Sequence, residues 1–348
     1  MHGASGQHTI RMIEGDVFAA LAALPDNHFD CVVTSPPYWG LRDYDVAGQI
    51  GLEPTLGEHL DVMVRVFREV RRVLKPTGTL WLNYGDCYAT SPNGRSAADT
   101  KAVGNDDRTF RDKPFSTVGP IYRGKRVSRG GGRWGGGNNS DPTLKPKDLC
   151  MVPNRLAIAL QEDGWWVRSE IIWHKPNPMP ESIKDRPGTS HEKIWLLTKS
   201  ERYFYDHEAV AEPAVSTDIK KFTDGGKDKQ RGHSRRHAGF NGRYAEKLAR
   251  EGVPETRNLR NVWTIPPSPF HDAHFATFPP ELVERCLTAG CPKGGRVLDP
   301  FGGSGTAALV ADGLEMECTI IELNPSYIKI AKNRLDDMFR RISHERAG

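Results

Sequence analysis

The sequence predicts an α/β fold, a mostly parallel sheet with helices on both faces, plus two basic insertions. Three observations carry this expectation. Short apolar runs alternate with segments of helical periodicity, most regularly after residue 280. A glycine-rich stretch, Asp299-Pro300-Phe301-Gly302-Gly303-Ser304-Gly305-Thr306, lies where a strand hands over to a helix. Pro36 and Pro37 close an apolar run that otherwise reads as a buried strand. Strands separated by helices need crossover connections, and crossovers make parallel neighbours whose two faces are covered.

The elements follow in order. Residues 29–33 form a short apolar strand that must leave the sheet at Pro36-Pro37, because proline offers no N–H to a ladder. Leu60, Val64, Phe67, Val70 and Leu74 recur at helical spacing, and Lys75-Pro76-Thr77-Gly78 stops that helix. Residues 79–82 read as a buried strand. Residues 88–149 contain two glycine triplets and little periodicity, the pattern of a long flexible insertion. A helix near residues 153–161, a strand over 165–173 and another over 194–197 precede a second polar insertion from about 212 to 260. The final segment gives a helix over 280–287, a strand over 296–298, a helix over 306–312 and a strand over 317–321. No internal repeat is visible.

A chain of 348 residues suffices for one large α/β domain with insertions or for two modest domains. Its net charge of +4 is unevenly spread. Residues 88–149 hold 12 Lys and Arg against 6 Asp and Glu, and residues 212–260 hold 12 against 7, leaving the remainder at −7. Two basic segments on an acidic body fit a polyanionic partner, and they fit solvated loops equally well. The six cysteines include no CxxC pair, so neither a zinc site nor a disulfide framework is expected. With a mean hydropathy of −0.56, no run near the ~18 apolar residues of a membrane helix and no secretory pattern at the start, the expectation is a cytoplasmic protein that makes no membrane contact.

Two constellations carry chemistry. In residues 299–306 the glycines let backbone approach a ligand closely at a helix start, and Glu322 ends the following strand, where a carboxylate can accept the hydroxyls of a ribose. Taken alone, such a turn fits a nucleoside cofactor, a phosphate ligand or a purely structural role. The Walker lysine is absent, since Thr306 follows Gly305, and Ala308 stands where a dinucleotide loop would place its third glycine. The second constellation is Thr34-Ser35-Pro36-Pro37-Tyr38. Exocyclic amines are weak nucleophiles because their lone pair is delocalised into the ring. Acceptors that hold both hydrogens free that pair, and the Ser35 hydroxyl and Pro36 carbonyl are suitable. Tyr38 offers a ring for stacking a flipped base. Without context, a proline-rich strand exit with a half-buried tyrosine is the stronger reading.

Together the motifs resemble a known family. Ser35–Tyr38 is similar to the [D/N/S]-P-P-[Y/F/W] motif of amino-methylating DNA methyltransferases (N4-cytosine or N6-adenine), and residues 299–306 are similar to their cofactor motif. The order, catalytic motif first, resembles the permuted β group. Glu14-Gly15-Asp16, residues 78–86, 173–177, 191–205 and 274–279 resemble further family blocks. The resemblance implies a Rossmann-like methyltransferase fold whose catalytic domain is built from residues 1–87, 149–211 and 261–348. Residues 88–148 would be a basic Gly-rich insertion and 212–260 the target recognition region. It implies S-adenosyl-L-methionine as cofactor, contacted by Asp16, Thr277, Asp299, Phe301, Gly303, Gly305, Thr306 and Glu322. Catalysis falls to Ser35, Pro36, Pro37 and Tyr38, with double-stranded DNA as substrate and no metal. Arg231, Arg235, Arg236, Arg243 and Arg257 are the expected DNA contacts. Pairs of subunits occur in the family, so a homodimer is one expected state, and a separately acting restriction endonuclease is an expected cognate.

A serine at position 35 usually accompanies N4-cytosine chemistry in the family, with N6-adenine the alternative. C5-cytosine chemistry needs a Pro-Cys nucleophile, and no cysteine here follows a proline. Protein or RNA methylating relatives place the cofactor loop first, against the order here. A catalytically silent DNA-binding protein would have no need of a complete catalytic motif.

Overall fold

The computed structural model describes residues 9–40, 46–89, 143–145, 147–214, 246, 250, 252, 255–267 and 278–345, with side chains through 336. The chain divides into two compact units, residues 1–205 with 261–348, and residues 206–260.

The larger unit is an eight-stranded sheet. Its strands are β1 (Ile10–Glu14), β2 (Phe29–Thr34), β3 (Leu74–Tyr84), β4 (Trp166–His174), β5 (His191–Thr198), β8 (Val262–Thr264), β9 (Arg296–Asp299) and β10 (Glu317–Glu322). They lie in the order β1-β10-β9-β2-β3-β5-β4-β8. β1 through β3 pair parallel in that order, β5 runs antiparallel to both β3 and β4, and β8 pairs parallel with β4. Helices α1 (Val17–Ala22), α2 (Leu56–Val73) and α3 (Val152–Glu162) pack together on one face; α4 (Pro280–Gly290), α5 (Thr306–Gly313) and α6 (Pro325–Glu345) pack in succession on the other. The expected mostly parallel sheet with helices on both faces is thus observed.

Local sequence explains the main elements. Thr55 and Glu58 close a reciprocal capping box at the start of α2. Its buried stripe is Leu56, Met63, Val66, Phe67, Val70 and Val73, whereas Leu60 and Val64 are only half-buried. The stripe is therefore rotated from the one expected, because Met63 and Val66 share the face of Phe67 and Val70. The break expected at Lys75–Gly78 takes another form. β3 already starts at Leu74, opposite Phe29, and pairing resumes with Thr79 opposite Cys31. The four residues between bulge out against Asp30 alone, and the Lys75 ammonium bonds the Asp30 carboxylate at 2.7 Å. β1, α1, β8 and α6 are elements the periodicity did not announce.

The smaller unit is described by a two-stranded antiparallel pair, β6 (Glu212–Pro213) with β7 (Thr256–Arg257). The Arg257 and Arg260 guanidiniums both reach Glu212, at 3.1 and 3.4 Å. Among the described residues, no helix is long and apolar enough to cross a membrane.

Candidate active site

Four adjacent parallel strands, β1, β10, β9 and β2, carry the expected motifs at their carboxyl ends. Asp16 follows β1, Glu322 ends β10, Asp299 ends β9, and Ser35 follows β2. β9 and β2 are neighbours whose following helices, α5 and α2, go to opposite faces of the sheet. Connections leaving in opposite directions open a crevice between strand ends, and ligands of such sheets bind there. An open cleft occupies that place. Asp16, Ser35, Pro37, Phe301, Gly303, Thr306 and Glu322 line it, together with Phe278 of the 274–279 block and with Val46, Ile50 and Tyr327, which lie outside the motifs. Thr277 lies outside the described residues.

The cofactor side of the cleft is held from behind. Gly303 and Gly305 take positive φ of 51° and 78°, and a Cβ on Gly305 would stand 2.7 Å from that of Ala331 in α6. The Glu322 carboxylate accepts from the Gly303 N–H through one oxygen and from the Asn324 N–H through the other, each at 2.8 Å. Each oxygen keeps a lone pair, and desolvation raises the carboxyl above its ordinary value. Asp16 caps α1, one oxygen accepting from the N–H groups of Phe18 and Ala19 at 3.0 Å. Arg334 of α6 braces the loop, donating to the Ser304 carbonyl at 2.7 Å and the Thr306 hydroxyl at 3.1 Å. Sequence reasoning missed Arg334, because nothing local marks a helix arginine as the clamp of a distant loop.

Asp299 stands behind the lining. It is almost wholly buried and joins the two motifs, accepting from the Thr34 hydroxyl at 2.7 Å and the Phe301 N–H at 3.0 Å. Its other oxygen has no partner among the described residues. Desolvation pushes this carboxyl up to about 7.

The Ser35–Tyr38 segment rests on two buried polar networks. Beneath it, Glu53 accepts from the fully buried His59 Nδ1 at 2.8 Å, and His59 Nε2 meets the Tyr84 hydroxyl at 2.7 Å. That hydroxyl accepts from the Trp39 N–H at 3.0 Å and lies 3.2 Å from the Pro37 carbonyl. Beside it, the Tyr38 hydroxyl donates to Glu192 Oε2 at 2.8 Å and stands 3.3 Å from Ser35 Oγ. Asn83 Nδ2 donates to the same Glu192 oxygen at 3.1 Å, and the Lys175 ammonium pairs with the other. Burial pushes the Glu192 carboxyl up, but Lys175 and the two hydroxyl and amide donors outweigh it, so it ends below its ordinary value. Burial and the neighbouring Glu192 charge raise the Tyr38 phenol well above its own. One face of the Tyr38 ring stacks on Tyr84, with centroids 4.7 Å apart. Gly85 packs so closely that a Cβ there would lie 2.6 Å from the Tyr38 ring. Of the five arginines expected at DNA, only Arg257 is described, and it is paired with Glu212; Arg231, Arg235, Arg236 and Arg243 lie outside the described residues.

A doubly wound sheet with an open cleft at its switch point, and an acceptor-bearing Pro-Pro loop on the cleft wall, is the framework of a Rossmann-like methyltransferase. The chain belongs to the N6/N4 DNA methylase family, whose model matches residues 29–333. It is 44% identical over 324 residues to the Type II methyltransferase M.XycI of Xanthomonas campestris pv. cyanopsidis, covering 93% of this chain and 87% of that protein. It is 41% identical to the Type II methyltransferase M.SmaI of Serratia marcescens, covering 95% and 92%. Its fold resembles that of PvuII DNA methyltransferase (cytosine-N4-specific), with a TM-score of 0.57 at 17% identity over 97% of this chain and 95% of that one. It also resembles a Thermus thermophilus protein complexed with S-adenosyl-L-methionine, with a TM-score of 0.50 at 22% identity over 94% of both chains. The protein is accordingly a DNA methyltransferase, and S-adenosyl-L-methionine is its methyl donor.

Proposed function

We propose that this chain methylates N4 of cytosine in double-stranded DNA, site-specifically and by base flipping. The observation that carries the reading is Ser35 facing the same cleft as Asp16, Phe301 and Glu322. Residues that suit a nucleoside and residues that suit an amine thus converge on one space. Glu322 would hold the ribose of S-adenosyl-L-methionine, Asp16 its adenine side, and Phe301, Gly303, Gly305 and Thr306 its methionine part, with Thr277 a further cofactor contact and Asp299 fixing the loop. When bound, the cofactor supplies a methyl group on a positively charged sulfur.

Ser35 Oγ and the Pro36 carbonyl each accept one hydrogen of the target amine, which turns the nitrogen lone pair out of the ring. The Pro36-Pro37 geometry fixes both acceptors, and positioning with desolvation supplies most of the rate. Tyr38 stacks the base on whichever part of its ring Tyr84 leaves open. A neutral serine hydroxyl suits either base, and the family association is what favours cytosine. The segment 88–148 and the region 212–260 serve DNA, the latter reading the target through Arg231, Arg235, Arg236, Arg243 and Arg257. The resemblance to Type II methyltransferases favours a restriction-modification role with a separate endonuclease, and a homodimer is the expected assembly.

The test is direct. DNA from cells expressing the chain is digested to nucleosides and weighed by mass spectrometry, and the modified site is mapped by methylation-sensitive sequencing. N4-methylcytosine is the expected product; N6-methyladenine alone overturns the cytosine assignment.

A further inference from the structure

Glu192 has no part in the roles described so far, yet it is the most elaborately held carboxylate near Ser35. It lies at the start of β5, whose antiparallel pairing with β3 brings it to the same sheet edge as the motifs. It receives the Tyr38 hydroxyl at 2.8 Å, Asn83 Nδ2 at 3.1 Å and the Lys175 ammonium, which itself sits 4.3 Å over the Trp173 ring. Taking a carboxylate and an ammonium out of water costs more than their attraction usually returns, so such a pair beside a reacting centre calls for a use.

The hydrogen-bond directions are forced. An ionised carboxylate can only accept, so the Tyr38 hydroxyl donates its single hydrogen to Glu192. The alternative acceptor, Asn83 Oδ1, is farther, at 3.4 Å. With its hydrogen committed, Tyr38 Oη can only accept from Ser35, whose Oγ is 3.3 Å away. The Ser35 hydrogen therefore points away from the cleft and its lone pairs are left to the amine.

We infer that Ser35, Tyr38 and Glu192 form a proton relay that fixes Ser35 as an acceptor and carries off the proton the methylated amine must lose. The inference rests on the reading of Ser35 given above, and it holds for either target base. Once the new N–C bond has formed, the nitrogen bears one hydrogen too many and a positive charge. That proton passes to Ser35 Oγ as the Ser35 hydrogen passes to Tyr38 Oη and the Tyr38 hydrogen to Glu192 Oε2. Serine and tyrosine end neutral, as they began, and the carboxylate becomes a carboxylic acid that later releases its proton to solvent. A carboxylate in place of Ser35 would take the proton itself; a serine needs one behind it. Lys175 keeps Glu192 ionised between turnovers. The last position of the family motif admits phenylalanine and tryptophan, which lack a hydroxyl, so the relay belongs to this chain's own combination. Glu192 is a positioning residue in this scheme, acting through Tyr38.

The experiment uses the full chain, saturating S-adenosyl-L-methionine and DNA carrying the mapped site, and reads single-turnover rates. Tyr38→Phe keeps the ring and the Glu192–Lys175–Asn83 group but removes the relay. It is expected to slow methyl transfer roughly a hundredfold. Cofactor affinity and the KM for DNA should stay within about twofold of their wild-type values, a split that loss of packing would not produce. Glu192→Gln should behave alike, and the double variant should be no slower than the slower single one, because both cut one path. If Glu192→Gln fails to fold once Lys175 loses its partner, Tyr38→Phe decides alone. A wild-type rate in Tyr38→Phe, or a slower rate matched by a higher KM, overturns the relay. Ser35→Ala separates the two readings. If it is inactive while the relay variants are not, only the relay falls; if it is fully active, the pocket reading falls with it.

Discussion

Glu322 concentrates the cofactor chemistry at one side chain. Its two oxygens take two backbone N–H groups, so it shapes the Gly303 turn as well as offering lone pairs to the cleft. Glu322→Ala should lower S-adenosyl-L-methionine affinity by about 1.5–3 kcal/mol, the range for a charge-assisted hydrogen bond. Folding stability should fall too, by about 1 kcal/mol, because the two N–H groups lose an acceptor. The sign of the pH effect follows from burial. Desolvation raises this carboxyl, while ribose hydroxyls donate to its ionised form. Affinity is therefore full above the raised pKa and is lost as pH falls through it. Calorimetry at pH 7 and in mild acid measures both effects, and unaltered affinity in Glu322→Ala rules out the ribose contact. Residues of this kind were legible because a carboxylate at a strand end sits beside a glycine-rich turn in sequence. Glu192, Asn83, His59 and Arg334 were not. Each acts on a motif more than 20 residues away, and only the sheet order brings them together.

Among the elements, β2, β9, β10 and the cores of α2 to α5 could be read from apolar runs and helical spacing. The reversed direction of β5 could not, since an apolar run carries no sign of which way its neighbour points. Nor could β1, whose five residues alternate burial too briefly to stand out, or α1, whose six residues depend on the Asp16 cap. The tie between β2 and β9 also emerges only in three dimensions. Thr34 at the end of one strand donates to Asp299 at the end of the other, across 265 residues of chain. Asp299 is pushed up to about 7, against an ordinary value of 3.8. A raised carboxyl favours the folded state most below the unfolded pKa, and that advantage shrinks as pH rises toward the folded one. The cofactor-free protein should thus lose on the order of a few kcal/mol from this group between about pH 4 and pH 7. Asp299→Asn cannot ionise, so the stability gap between variant and wild type should shift across that window and then level off. Urea midpoints from pH 4 to pH 8 report this, and a gap constant with pH would show that the Asp299 carboxyl is not raised in the fold.

At the scale of the whole molecule, charge and topology divide the labour. The acidic remainder of the chain carries the cleft, while the two net-positive segments interrupt it at 88–149 and 212–260. The second of these leaves and returns at one place. β6 and β7 pair Glu212 with Arg257 and Pro213 with Thr256, and the Ala214 N–H donates to the Glu255 carbonyl at 2.8 Å. Residues 215–254 can therefore be replaced by a short linker closing a ready-made hairpin, without pulling on the sheet. If this region reads the target, the shortened protein should bind S-adenosyl-L-methionine as the full chain does, because every described residue lining the cleft lies outside 215–254. Methylation of the mapped site should be lost. DNA binding should become less steep in salt, since each phosphate contact removed takes about 0.9 from the slope of log K against log salt. Arg257 is paired with Glu212 at the base of the hairpin, so it survives the deletion and offers an internal control. Arg257→Ala in the full chain should cost less specificity than the deletion does. The decisive measurement is methylation of the mapped site by the shortened protein; a wild-type rate there would move target recognition out of 215–254.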